Sequence, residues 1–211
     1  MLARKDFPFL IVVADWEFVG DTRKWLQILS ELEIESRGNP RVAVQVRIKN
    51  VDRSEYQSLA EKAIDVLGSH TRAVLNGDIE VARQLGYWGA HTPVTGNPFS
   101  VKNDPDLHFV SASIHGKDQL KRATRFGVSA VLCSPVLQPS WKNVKSLRFE
   151  GLRQLARASA IPTYALGGIT PAQCEDCLEA GAIGVAVLSG VMGAEDPVES
   201  LGEYLRCAPQ S

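Results

Sequence analysis

Three polar side chains recur at every second position in Gln45-Val-Arg-Ile-Lys49. Side chains of an extended strand alternate, so Gln45, Arg47 and Lys49 share one face, and Val44 and Val46 share the other. A core strand carries such a face only where it meets a ligand or where the groups satisfy one another. An arginine and a lysine together suit phosphate or pyrophosphate oxygens. A buried structural ion pair is the other reading of the same residues. A second anion-binding feature is written in Tyr164-Ala-Leu-Gly-Gly-Ile-Thr-Pro171 and Gly184-Val-Ala-Val-Leu-Ser-Gly190. Each is an apolar run that ends in small residues and enters a helix-like segment. Glycines at 167, 168 and 190 let backbone N–H groups, with that of Ser189, approach a ligand closely. Thr170 is expected to cap the helix that follows and Pro171 to fit its first turn. Helix N-termini attract anions, so two such turns side by side form a phosphate cradle.

Other candidates sit where apolar runs stop. Asn76 ends Leu75-Asn76-Gly77-Asp78, and Asp78 is placed to cap the next helix. His91 ends one run, and Ser113 and His115 end another. A histidine at such a position is either structural or an acid–base group. His70 and His108 begin runs and read as structural. Cys174-Glu-Asp-Cys177 has redox or zinc spacing, but no second Cys or His pair completes a zinc site. Inside a helix the two cysteines merely share a face.

The elements that must position these groups alternate along the chain. Strands are predicted over 9–14, 42–47, 73–76, 88–91, 108–114, 130–134, 163–166 and 183–188. Helical spacing fits Trp25, Leu26, Leu29 and Leu32, the run Tyr56 to Leu67, and the sets at 79–85, 120–126, 152–156 and 201–205. Strand–helix alternation implies a parallel α/β fold. Eight strands in 211 residues fit a single (β/α)8 TIM barrel over 1–211, with the two small-residue turns after strands seven and eight. Long irregular stretches at 92–107 and 135–145 would then lie over the C-terminal mouth, where barrel active sites sit. The first includes Asp104 and Asp106, and the second Lys142 and Lys145.

Composition sets the remaining bounds. Hydrophobic residues make up 45% and charged residues 22%, ordinary for a globular protein. A net charge of −1 gives no field toward nucleic acid or anionic membrane. The apolar run after Met1-Leu-Ala-Arg-Lys-Asp6 is broken at Asp15, so it reads neither as a signal peptide nor as a span, and a cytoplasmic location is expected. Trp16, Trp25, Trp88 and Trp141 are open to a core role or to an interface, including that of a homodimer.

Taken in order, these motifs resemble the superfamily of thiamine phosphate synthases and TenI-type thiazole tautomerases. The similarity runs from Phe9-Leu-Ile-Val-Val-Ala-Asp15 to the C-terminal helix. Its marks are Gln45-x-Arg-x-Lys49, Asn76, Gly89-Ala-His91, Ser113-Ile-His115, Val131-Leu-Cys-Ser-Pro-Val136 followed by Lys142, Ala165-Leu-Gly-Gly-Ile169 and Ala186-Val-Leu-Ser-Gly190. In the synthase, a thiazole phosphate displaces pyrophosphate from an aminopyrimidine pyrophosphate to give thiamine phosphate. The resemblance implies that Gln45, Arg47, Lys49 and Asn76 face the pyrimidine and its pyrophosphate, with His91 a further substrate-binding residue. It implies that Ser113 and Lys142 stabilise the leaving group. Gly167, Gly168, Ser189 and Gly190 would hold the thiazole phosphate, and Mg2+ would be the cofactor.

The chain departs from that pattern at two acids. The resemblance implies magnesium-ligand acids directly after Asn76 and just beyond strand four. Here those places read Gly77, with Asp78 one residue on as the acid left to serve as a metal ligand, and His91-Thr-Pro-Val-Thr-Gly96. Asn76-Gly77 is closer to the tautomerase subgroup, whose acid–base histidine falls at Pro135 in this chain. That leaves His115 or His91 for the role. Three functional readings follow: a synthase with an altered metal site, a tautomerase with a relocated base, and a phosphate-binding homologue without turnover.

Overall fold

A computed structural model describes residues 6–93, 106–138 and 144–209. The apolar runs form eight strands: β1 Leu10–Asp15, β2 Val42–Arg47, β3 Ala73–Asn76, β4 Gly89–Pro93, β5 Phe109–Ile114, β6 Ala130–Cys133, β7 Thr163–Leu166 and β8 Gly184–Val187. All pair in parallel with their chain neighbours, and β8 returns to β1, closing the barrel in sequence order. After β1 come α1 Trp16–Val19 and α2 Thr22–Ser36. The later connections carry α3 Arg53–Leu67, α4 Ile79–Gln84, α5 Lys117–Phe126, α6 Arg148–Ala158 and α7 Cys174–Glu179. After β8 come α8 Ser189–Met192 and α9 Pro197–Arg206. The expected (β/α)8 architecture is therefore present. Strand ends move by a residue or two, and α1 is an addition, capped by Asp15 through its bond from Phe18 N–H.

Strand alternation divides the core in two. Outward residues such as Val12, Val44, Val46, Leu75 and Ile114 pack under the helices. Inward residues Ile11, Ala43, Val74, Phe109, Ala130, Leu132, Tyr164 and Ala186 fill the barrel. Cys133 is on the outward, helix-packed side, so it is a core thiol and not a mouth residue. The barrel floor is closed by aromatics. Trp88 stacks on Phe109 with ring centroids 5.2 Å apart, and the Arg72 guanidinium lies 5.0 Å above Trp88. Trp25 is buried and donates from Nε1 to the Ala14 carbonyl, 3.2 Å away, so it pins α2 to β1. Both tryptophans are core groups. Trp141 lies outside the described residues.

Closure depends on close strand contact where Cβ atoms are absent. A Cβ on Gly184 would overlap the Phe9 carbonyl oxygen and lie 3.0 Å from the Tyr164 ring. That Phe9 oxygen accepts the Val185 N–H at 2.9 Å, one of the bonds joining the last strand to the first. Gly184→Ala should therefore destabilise the fold by about 1–3 kcal/mol or more, as overpacking of a tight core does. Urea unfolding measures this, and a midpoint equal to that of the parent chain would refute the packing argument.

Candidate active site

The C-terminal ends of β1 to β5 bring the polar inward positions together. Asp15 ends β1 and Arg47 ends β2, and strand register sets them side by side. Their side chains form an ion pair, with the Asp15 carboxylate almost wholly buried and the Arg47 guanidinium partly so. Burial pushes the Arg47 guanidinium down from its ordinary value. Below them Gln45 is 3% exposed, and its Oε1 has no partner among the described residues. Lys49 falls beyond the strand end and is exposed. The five-residue segment thus splits into a buried amide, a paired guanidinium and a rim ammonium.

β4 and β5 add a neutral polar chain. His91 is buried, with Nδ1 2.8 Å from Ser111 Oγ and Nε2 2.9 Å from Ser113 Oγ. Burial, then the charges of Arg47 and Lys49, push this imidazole down from 6.5 to about 3. At neutral pH it is uncharged, so one ring nitrogen donates to a serine and the other accepts from its neighbour. His91 thus orients Ser113 instead of carrying a proton away. Ser111 was not singled out by the sequence reading. It sits two residues before Ser113 on the same face of β5, and that spacing is the signal that could have found it.

The two small-residue turns flank the mouth after β7 and β8. Gly167 and Gly168 adopt φ of +103° and +65°, which favour glycine. Their close neighbours are protein atoms: a Cβ on Gly167 would come within 2.8 Å of Pro135, and one on Gly168 within 2.8 Å of the Gln138 carbonyl. The stretch after β6 lies along this turn through Val136 N–H to Leu166 O at 2.8 Å and Leu137 N–H to Gly167 O at 2.9 Å. The N–H groups of Gly167 and Gly168 have no acceptor among the described residues. Those of Ser189 and Gly190, in the first turn of α8, are likewise unpaired. Thr170 and Pro171 occupy the expected capping and first-turn places, with Gln173 Oε1 accepting the Thr170 N–H at 2.8 Å.

Residues 21–191 match the family model described as thiamine monophosphate synthase. The chain belongs to that family. A thiamine-phosphate synthase of Albidiferax ferrireducens is 30% identical over 159 residues, 73% of each chain. One from Pyrococcus abyssi is 29% identical over 168 residues, 78% of this chain and 80% of that one. Among solved structures, thiamine phosphate pyrophosphorylase from Pyrococcus furiosus superposes with a TM-score of 0.76 at 23% identity, covering 97% and 96% of the two chains. That last likeness shows the fold.

Set against this thiamine monophosphate synthase family, the remaining candidates separate. Asp78 does not face the mouth as a metal ligand. Its Oδ1 accepts the N–H groups of Glu80 and Val81 at the start of α4, and Oδ2 lies 3.8 Å from Arg53. Asn76 ends β3, half-buried, with its carbonyl accepting from the Tyr56 hydroxyl at 3.0 Å. Gly77, at φ +124°, sits against that same hydroxyl. His115 is exposed, and its Nδ1 donates to the Ser134 carbonyl, which holds the β5 and β6 ends together. Lys142, like Asp104, lies outside the described residues. Cys174 and Cys177 are buried in α7, and burial first of all pushes both thiols up to about 12, so the pair packs as core. Asp15 escaped the sequence reading as a site residue, although it follows Ile11 and Val13 at alternate positions of β1.

The described carboxylates do not fit a protein-held magnesium ion. Asp15 is committed to Arg47 and to the cap of α1, and Asp78 to α4. No three His, Cys, Asp or Glu among the described residues gather as a metal group. No helix among them is long and apolar enough to cross a membrane.

The neutral His91 has a measurable consequence. The unfolded chain takes up the proton near 6.5 and the folded one near 3. Between those values the unfolded state binds more protons, so stability falls as pH falls from about 6.5 toward 3. The His91 ring nitrogens should keep the NMR shifts of a neutral imidazole at pH 5. A protonated ring in the folded protein at that pH would overturn the assignment.

Proposed function

We propose that this protein joins an aminopyrimidine pyrophosphate to a thiazole phosphate, releasing pyrophosphate and forming thiamine phosphate. The observation that carries this reading is the pairing of two unlike anion sites at one barrel mouth. One is cationic, built on Arg47 and Lys49; the other consists of unpaired N–H groups at Gly167, Gly168, Ser189 and Gly190. Family membership and the curated synthases among its relatives support the same reaction.

In this reading the substrate C–O bond breaks, its electron pair leaves with pyrophosphate, and the thiazole takes its place. The developing negative charge is the principal electrostatic problem of the step. Lys49, Ser113 and Lys142 meet that charge. Ser113 arrives oriented, because His91 fixes its hydroxyl from behind. Arg47 adds positive potential while Asp15 keeps its guanidinium in place. Gln45 turns its unpaired Oε1 toward the pyrimidine amino group, which would satisfy it. Asn76 lies level with Arg47 on the rim of β3. No step is routed through a metal, since Asp15 and Asp78 are already engaged.

One observation favours a second reading, proton transfer on a thiazole phosphate. The bond from His115 Nδ1 to a carbonyl fixes the tautomer that leaves Nε2 as the basic nitrogen. His91, held uncharged with both nitrogens bonded, is unsuited to that task.

The test is turnover of the two substrates, followed as thiamine phosphate formed, with and without magnesium. Product formation supports the synthase. A folded protein that binds thiazole phosphate and makes no product rejects it. Lys142→Ala and Lys49→Ala should each lower turnover on the order of 100-fold, as loss of one stabilising group does. Their melting temperatures should stay near that of the parent chain, because exposed or loop lysines contribute little to folding. Equal losses of turnover and stability would sink the assignment.

A further inference from the structure

One face of α9 reaches the backbone of both small-residue turns. Ser200, Tyr204 and Cys207 follow one another at the four- and three-residue spacing that places side chains on a single helical face. Ser200 Oγ donates to the Gly190 carbonyl at 2.7 Å. Tyr204 Oη donates to the Ile169 carbonyl at 2.8 Å. Cys207 Sγ, just past the helix end, contacts the Pro171 carbonyl at 3.4 Å. Gly190 belongs to the start of α8; Ile169 and Pro171 follow the Gly167–Gly168 turn. A single helix therefore holds the backbone that follows β7 and the backbone that follows β8.

Tyr204 is the centre of this arrangement. Its side chain is buried, at 1% exposure, and its hydroxyl fills the space where a Cβ of residue 190 would stand. Gly190 does not have a positive φ, so its lack of a side chain is demanded by this hydroxyl and not by backbone conformation. An anion held by N–H groups from two separate turns is bound well only if their spacing is fixed beforehand, because ordering glycine-rich backbone costs entropy.

We infer that Tyr204, supported by Ser200, is a positioning residue that sets the spacing of the two turns for a phosphate monoester. This rests on the reading of those turns as the thiazole phosphate site. Tyr204 touches no substrate; it acts through the Ile169 carbonyl and the Gly190 backbone.

Tyr204→Phe keeps the ring and removes the hydroxyl. It should raise KM for thiazole phosphate about 3- to 10-fold, the net worth of one hydrogen bond, with kcat and the KM of the pyrimidine pyrophosphate within two-fold of the parent. Ser200→Ala, at a half-buried helical position, should raise the same KM in the same direction. Gly190→Ala should also raise it. Combining Gly190→Ala with Tyr204→Phe should cost less than the product of the single effects, since the hydroxyl that meets the new methyl is gone. Thermal unfolding is recorded beside the kinetics. A lowered melting temperature with unchanged KM in both Tyr204→Phe and Ser200→Ala would show a merely structural helix and overturn the inference. If the parent chain itself neither binds nor turns over thiazole phosphate by calorimetry and assay, the functional reading fails, and the positioning role fails with it.

Discussion

A buried carboxylate beside a half-buried guanidinium sets the terms for the rest of this barrel mouth. Asp15 and Arg47 are opposite each other in the β1–β2 register, and neither charge is tolerable there without its partner. The pair fixes the guanidinium in place, with its positive potential acting on the groups around it. That potential reaches His91, which burial already disfavours as a cation, and keeps it neutral. A neutral imidazole can bridge two serine hydroxyls, donating to one and accepting from the other. Ser113 is thus oriented by a chain of interactions that begins four strands away, at Asp15 on β1.

The same pair leaves the described residues of this mouth with little to hold magnesium. A carboxylate that pairs with an arginine and caps a helix has little to offer a cation. Asp78 is occupied similarly at α4. The positive side of the site comes from side chains, Arg47 and Lys49, with backbone N–H groups on the other side. Such a balance suits two anionic substrates that must approach each other, since each anion then meets its own separate countercharge. Glycine has two roles in the second half of that design. At 167, 168 and 190 its bare Cα lets neighbouring loops and Tyr204 pack closely, while its N–H group has no acceptor among the described residues.

Much of the architecture was legible in the residues. The strand runs alternate with amphipathic helices, and the barrel closes in chain order as eight strands would require. Gln45 and Arg47 could be placed on one inward face from the two-residue period alone. Lys49 could not, because the strand ends at Arg47 and alternation has no force beyond it. Asp78 had two readings at the level of sequence, helix cap or metal ligand. The local geometry of α4 decided for the cap, since two N–H groups lie within reach of one carboxylate oxygen. Asp15 and Ser111 were missed for a common reason: each closes or interrupts an apolar run, and its value depends on a partner distant in sequence.

The sequence by itself determined the fold, the inward faces of the strands and the two turns rich in small residues, because these follow from local periodicity and from glycine's missing Cβ. It also carried the family, since the motifs occur in one order along one chain. Only the tertiary structure decided which polar groups answer one another. Arg47 meets Asp15, His91 meets Ser111 and Ser113, and Tyr204 meets the backbone after β7 and β8. These contacts join residues 14 to 35 positions apart. No local pattern encodes such distances; barrel closure and strand register create them.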